Sequence, residues 1–129
     1  MVPNWIGVVA ALATFLSVWL GHVSVRALEY RAASLRWPTV MYLTVAALAY
    51  FGSLVSPSPV VSGALGILGT TLWFDALELR RQFKRVMKGH APANPRNPRH
   101  VPLIAQGRAT TTDWLNRQPT GQQVRSEGR

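Results

Sequence analysis

Three long apolar runs are followed by a polar, basic segment along this 129-residue chain. The stretches from Trp5 to Val25 and from Thr39 to Val55 contain no Asp, Glu, Lys or Arg. The third run starts at Val60 and continues into charged sequence as far as Lys88 without a helix breaker. A helix of about 20 apolar residues spans a bilayer core of about 30 Å. The pattern predicts an all-α integral membrane protein with three transmembrane helices, the third extended into the cytosol.

Capping residues indicate where these helices begin and end. Asn4 is a favourable N-cap for the first helix, and Ser58 followed by Pro59 is typical of the start of the third. Gly89 is the expected C-cap of the third helix. We predict helices over residues 4–31, 38–55 and 59–88, within a membrane domain of residues 1–90. A secretory signal peptide is the alternative interpretation of the first run, but no basic segment precedes it.

Residues 91–129 have a different composition, in which Pro, Arg, Asn, Gln, Thr and Gly dominate. Such a composition buries too little apolar surface to offset the entropy of folding. We therefore predict a largely disordered, basic cytosolic tail.

The distribution of basic residues predicts the orientation. Arg26, Arg31 and Arg36 lie between the first and second spans, no base lies between the second and third, and a basic run extends from Arg80 to Lys88. Because bases are enriched in cytoplasmic loops, the N-terminus is expected outside and the C-terminus in the cytoplasm. The basic run also predicts attraction to anionic lipid headgroups. Nucleic-acid binding is not predicted, since stacking aromatic residues are scarce in the basic segments.

Small residues recur along two of the predicted helices. They lie at Gly7 and Ala11 in the first helix, and at Ser62, Gly66, Gly69 and Thr70 in the third. Small residues at this spacing allow helix backbones to approach closely in a membrane. These surfaces pack either within the monomer or against a partner, which we expect to be another membrane protein or a second copy of the chain.

Polar side chains mark the cytosolic ends of the first and third helices. Their spacing places them on one face of each helix, and the two sets are His22, Arg26, Glu29 and Tyr30, and Asp75, Glu78, Gln82 and Arg85. Since an unpaired charge near hydrocarbon is costly, we expect a charge-paired network joining the two helices. The alternative is a functional polar site in which His22 or Glu78 accepts a proton.

Signatures of catalysis and of metal binding are missing from the sequence. The chain has no cysteine, which excludes disulfides, Cys-ligated metal sites and thiol catalysis. No phosphate-binding loop, EF-hand or HExxH pattern occurs. We therefore predict no catalytic residues, no metal and no cofactor.

Two blocks of sequence, one from Gly21 to Pro38 and one from Trp73 to Pro95, resemble a family of short bacterial membrane proteins classified only as a domain of unknown function. The resemblance runs from about Ile6 to Arg99. Its first block contains Gly21-His22 and Trp37-Pro38, and its second includes Trp73, Arg85, Val86, Gly89, Pro92, Asn94 and Pro95. The family pattern RV-x-KG-W-x-P-x-NP is similar to RVMKGHAPANP here, with His90 at the aromatic position. The resemblance implies a bacterial inner-membrane protein and brings no activity with it.

These observations favour a non-catalytic accessory or assembly subunit of a membrane complex. Three short helices bury few side chains together, so much of their surface must contact lipid or another protein. The alternative is a small membrane enzyme or transporter-like element that acts on a lipid-soluble substrate at the polar cluster.

Overall fold

Four helices make up the part of the chain that the computed structural model describes, residues 3–112. They are α1 (Ile6–Arg31), α2 (Arg36–Val55), α3 (Pro59–Met87) and the short α4 (Val101–Ala105). No strand occurs within residues 3–112, so the described chain is all-helical. The first three helices begin and end within two residues of the bounds expected from the capping signals.

The three long helices have the length and composition of membrane spans. Their most apolar windows have mean hydropathies of 1.9, 1.5 and 1.5 for α1, α2 and α3, and most of their residues are not buried by the rest of the chain. Apolar side chains left outside the packed bundle are suited to contact with lipid acyl chains. The prediction of an all-α, multi-pass membrane protein is confirmed.

Helix α3 lies against both other spans. It runs parallel to α1, since the Ser17 hydroxyl lies 3.2 Å from the Thr71 hydroxyl and Gly21 lies against Asp75, a constant offset along the two helices. Helices α2 and α3 form an antiparallel hairpin, in which Ser58 accepts a hydrogen bond from the Val61 backbone N–H at 3.5 Å. This connection defines the hairpin end of the bundle, and the opposite end, which carries the charged residues of α1 and α3, is called the polar end.

A buried apolar cluster joins the three long helices towards the polar end. Val25, Tyr42, Ala76 and Leu79 form one buried cluster, to which each of the three long helices contributes. The Tyr42 hydroxyl lies 2.5 Å from the hydroxyl of Ser24 and so links α2 to α1. This cluster fixes how α1 and α3 approach each other where the polar side chains begin.

The chain reverses direction after α3. Gly89 has a φ of +73°, which is the left-handed conformation favoured by glycine, and the next backbone N–H, that of His90, donates to Arg85 O at 2.8 Å. Beyond this turn Ala91, Ala93 and Leu103 pack on Val86 in a second buried cluster.

The structure therefore differs from the predicted disorder over residues 91–112. Composition alone does not show that the small alanines of this segment fit against α3, or that its polar side chains find backbone partners on α1. The remainder of the predicted tail, residues 113–129, lies outside the described residues.

Candidate functional site

Most of the predicted polar residues line one cavity of about 840 Å³ between α1 and α3. This polar-end cavity is closed on one side by residues 90–92 and Thr111. Its lining includes all but one of the charged and aromatic residues predicted for the cluster, namely His22, Arg26, Glu29, Tyr30, Glu78 and Arg85. Asp75 lies outside it, in an adjoining groove.

In the part of the chain that the structure describes, the expected ion pairs between α1 and α3 do not form. Glu78 pairs with two bases of its own helix, Arg85 at 3.1 Å and Arg81 at 3.5 Å. Within residues 3–112 no salt bridge links a residue of α1 to one of α3. Glu78 has bases within one or two turns of the same helix, and these satisfy it without α1.

Glu29 is instead enclosed by the segment that follows α3. Its side chain is 1% exposed, and its Oε1 lies 2.8 Å from His100 Nε2 and 3.3 Å from an Arg99 guanidinium nitrogen. The Asn94 backbone N–H donates to His100 Nδ1 at 2.9 Å. Because Nδ1 accepts a hydrogen bond, the imidazole proton lies on Nε2 and is donated to Glu29.

The same segment satisfies the carbonyl groups at the end of α1. The Asn97 amide donates to Tyr30 O at 2.9 Å and to Ala32 O at 3.1 Å, and the Asn94 amide donates to Tyr30 O at 3.0 Å. Arg99 Nε donates to Ala32 O at 3.0 Å. The last carbonyl groups of a helix have no partner within the helix. Residues 94–100, called the C-terminal clamp, therefore close the polar end of α1.

Three clamp residues were not among the predicted site residues. Asn97, Arg99 and His100 occur in the repeated sequence Asn-Pro-Arg-Asn-Pro-Arg-His. Its first two residues, Asn94 and Pro95, belong to the predicted family pattern, and the whole repeat lies in the segment predicted to be largely disordered. The regular return of an amide side chain before proline was the available signal, because asparagine often hydrogen-bonds backbone groups outside regular helices. The identity of its partner, α1, is a property of the tertiary structure.

Asp75 has a different environment from the other two acids. It is 7% exposed, and its Oδ2 has no hydrogen-bond partner within the described residues. The carboxylate lies directly on the backbone of Gly21, where an added Cβ would overlap it, with Oδ1 only 2.7 Å away. Gly21 is thus the residue that permits α1 to pass beside Asp75.

A groove of about 670 Å³ extends from Asp75 along the α1–α3 seam towards the hairpin end. The lining of this Asp75 groove is small or apolar for most of its length, with Thr14, Val18, Gly63, Gly66, Ile67, Thr70, Thr71 and Phe74. His22 and Glu78 line both the groove and the polar-end cavity, so the two spaces adjoin.

The predicted small residues of α3 pack mainly on α2. A Cβ added at Gly69 would lie 3.1 Å from the Tyr50 ring, and the Tyr50 hydroxyl lies 2.9 Å from that of Thr70. Ser53 Oγ donates to Ser62 O at 2.7 Å, and Ser62 Oγ donates to Ser53 O at 2.8 Å. Much of this surface is therefore used within the chain.

The small residues of α1 are placed differently. A Cβ added at Gly7 would have nothing within 4 Å, and Ala11 is exposed.

Gly66 of α3 contacts Ser53 on one side, where a Cβ would lie 3.4 Å from the hydroxyl oxygen, and lines the Asp75 groove on the other.

The residues of the predicted family pattern are distributed over the polar half of the fold. Pro38 and Val86 are buried, whereas the indoles of Trp37 and Trp73 are exposed. The others lie on the last turn of α3 or in the segment after it, at Arg85, Gly89, Pro92, Asn94 and Pro95. Asn94 is the one that hydrogen-bonds α1 directly.

Comparison with known families identifies the family of the chain. A family model described as a domain of unknown function (DUF4491) matches residues 4–97, and the chain belongs to that family. The predicted resemblance is confirmed in this respect. Neither the curated proteins nor the solved structures gave a match.

Proposed function

We propose that the chain is a non-catalytic accessory or assembly subunit that holds a transmembrane helix of another membrane protein in the Asp75 groove. The observation that carries the proposal is the buried carboxylate oxygen of Asp75, which has no partner within residues 3–112. A buried carboxylate oxygen without a hydrogen-bond partner costs free energy. A donor supplied by a second protein offsets that cost only when the complex forms.

The shape of the groove suits a helix as its occupant. Gly63, Gly66 and Thr70 lie along the α3 side, and Thr14 lies on the α1 side. Small side chains such as these allow a third helix backbone to come close, and van der Waals packing is a main source of association in lipid. A Lys or Arg side chain in that helix complements Asp75 in charge.

The other two acids support a non-catalytic role. Glu29 is enclosed by Arg99 and His100, and Glu78 by Arg81 and Arg85. A general base must reach a substrate proton directly or through one water molecule. Both carboxylates are engaged in ion pairs, and those of Glu29 join the segment after α3 to α1.

Our proposal also places the protein in the bacterial cytoplasmic membrane, with its N-terminus outside and its polar end in the cytoplasm. In support, the basic residues of α1 and of the last turns of α3 lie at the same end of the bundle. Fusion of alkaline phosphatase or green fluorescent protein to either terminus tests the orientation. Phosphatase activity at the C-terminus would contradict it.

Site-specific photo-crosslinking in native membranes tests the docking proposal. A crosslinking amino acid is placed at Val18 or Phe74 in the groove, and at Leu54, an exposed residue of α2, as the control. We expect one membrane protein to be crosslinked from the groove positions and not from Leu54. The isosteric variant Asp75→Asn is expected to reduce the product at least tenfold, because it removes the charge and keeps the shape.

Exchanging the charges of Asp75 and of the basic residue in the partner tests whether these two side chains interact directly. Once the crosslinked protein is identified, Asp75→Lys should abolish the complex, and replacing the partner's membrane-embedded base by Asp should restore it. A crosslink between two copies of the chain would identify a homo-oligomer and overturn the heteromeric assignment. An unchanged yield in Asp75→Asn would overturn the role of the carboxylate.

The polar-end cavity favours a second candidate function, a small membrane enzyme or transporter-like element acting on a lipid-soluble substrate. His22 and Glu78 line both the cavity and the groove that leads into the membrane region. This function predicts that His22→Gln abolishes rescue of a gene deletion, with the protein still present in the membrane. Full rescue by His22→Gln would remove this candidate.

A further inference from the structure

We infer that the polar-end cavity binds the phosphate group of an anionic lipid. Two of the arginines that line it, Arg26 and Arg31, form no ion pair and no side-chain hydrogen bond within residues 3–112. Guanidinium groups bind phosphate through paired, charge-assisted hydrogen bonds. The inference is independent of the docking proposal, which concerns the adjoining groove.

The charge balance around the cavity favours an anion. Its two carboxylates, Glu29 and Glu78, are each matched by guanidinium groups outside the Arg26–Arg31 pair. Arg85, which faces the cavity from α3, is one of those that pair with Glu78. With both acids neutralised, the charge of Arg26 and Arg31 remains available to a ligand.

The cavity changes from apolar to basic along the axis of α1. Trp19 and Val23 line its membrane side, and Arg26, Tyr30 and Arg31 line the side towards the polar end. From Trp19 to Arg31 the helix axis extends over about 18 Å, at about 1.5 Å per residue. A glycerophospholipid has the same order of parts, with an acyl chain and glycerol followed by a phosphate. Basic pockets between transmembrane helices are known to bind such headgroups.

The segment after α3 gives the cavity a wall that an open helix surface would not have. His90, Ala91 and Pro92 cover one side, and the C-terminal clamp holds this segment on α1. A headgroup in the cavity is therefore enclosed by protein on several sides, unlike a lipid that only touches the outside of the bundle.

Quenching of Trp19 fluorescence tests the inference in the full-length chain. Trp5, Trp37, Trp73 and Trp114 are replaced by Phe, leaving Trp19 as the only tryptophan. The protein is reconstituted in phosphatidylcholine vesicles that contain increasing fractions of brominated phosphatidylglycerol. Brominated phosphatidylcholine measures the quenching from non-selective lipid contact, and the ratio of the two binding constants is the headgroup preference.

The double variant Arg26→Gln, Arg31→Gln is expected to lower this preference about 30-fold, since each base near an anionic headgroup contributes roughly a fivefold factor. The control Arg36→Gln, Arg80→Gln removes the same charge from two exposed positions outside the cavity. It should change the preference by less than about fivefold. Equal effects of the two double variants would overturn the inference.

Two further measurements distinguish loss of charge from loss of folding, and a lipid from a soluble phosphate. Arg26→Lys, Arg31→Lys keeps the charge and should retain most of the preference, while far-UV circular dichroism in the same vesicles checks that every variant is folded. Inorganic phosphate is added as a competitor of the lipid headgroup. We expect it not to displace brominated phosphatidylglycerol at millimolar concentration, and displacement would overturn the assignment to a lipid.

Discussion

The C-terminal clamp is expected to release α1 when Asn97 is replaced by Asp. Asn97 is 2% exposed, and its amide nitrogen donates to Tyr30 O and Ala32 O at 2.9 and 3.1 Å. The variant keeps the shape of the side chain and the acceptor oxygen that receives the Arg99 backbone N–H at 3.0 Å. In the variant, a charged carboxylate oxygen takes the place of the amide nitrogen that donates to both carbonyl groups. This oxygen then faces the carbonyl oxygens of Tyr30 and Ala32 with no hydrogen to share.

The size of the effect follows from these contacts. Asn97→Ala removes the two hydrogen bonds from the side chain to Tyr30 O and Ala32 O, worth roughly 1 kcal/mol each, so clamp opening should become easier by about 2 kcal/mol. It also removes the acceptor of the Arg99 N–H, but that bond lies within the clamp and is not broken by opening. Asn97→Asp adds the cost of a buried charge beside acceptors, of which the nearby Arg99 guanidinium offsets a part. We expect a total of about 4 kcal/mol. The equilibrium constant for clamp opening should therefore rise about 30-fold in Asn97→Ala and about 1,000-fold in Asn97→Asp.

Hydrogen exchange in lipid nanodiscs measures clamp opening directly. The reporters are the amides of Asn94 and Ile104, which donate to His100 Nδ1 and His100 O. Their exchange should accelerate by the factors above, whereas amides within α2 should keep their rates. Asn4→Asp is the matched control, since Asn4 precedes Trp5, the N-cap of α1, and its Oδ1 accepts from the Ile6 N–H, an acceptor that an Asp carboxylate keeps. Exchange within twofold of wild type in both Asn97 variants would refute the reasoning.

Two other substitutions test helix packing through the midpoint of unfolding in detergent. Gly21→Ala should lower the free energy of unfolding by about 1–3 kcal/mol, because its Cβ overlaps the Asp75 carboxylate. The loss should largely disappear when Asp75→Ala is added, and Gly7→Ala, which has nothing within 4 Å, should cause none; an equal loss in Gly7→Ala would contradict the packing argument. Ser53→Ala removes a donor to Ser62 O and should cost about 0.6–1.7 kcal/mol, from the average to the maximum measured for hydrogen bonds between membrane helices. A change below about 0.2 kcal/mol would show that this bond contributes nothing.

Several features of the fold were predictable because their causes are local. The spans follow from apolar runs long enough to cross a bilayer, and the turn at Gly89 follows from a residue that tolerates a positive φ. Ser58 and Pro59 likewise mark the start of α3 through the groups nearest to them in sequence.

The sequence predicts which residues form the candidate site better than it predicts which of them bind one another. Helical spacing predicts His22, Arg26 and Glu29 on one face of α1, and in the structure these residues line a cavity together with Glu78. Their pairing was not predictable, because Glu29 had bases available in several segments. Its partner His100 is 71 residues away in sequence.

The sequence by itself determined that this is an all-α chain with three helices long and apolar enough to span a membrane, and it gave their bounds to within two residues. Helix formation and membrane insertion depend on the composition of each segment and on its immediate neighbours. Only the tertiary structure decided that residues 94–100 close the end of α1 and that Asp75 is left without a partner within residues 3–112 while Glu29 and Glu78 are paired. These outcomes depend on which donors lie within hydrogen-bond distance of which acceptors once the helices have packed, and spacing along the sequence does not give those distances.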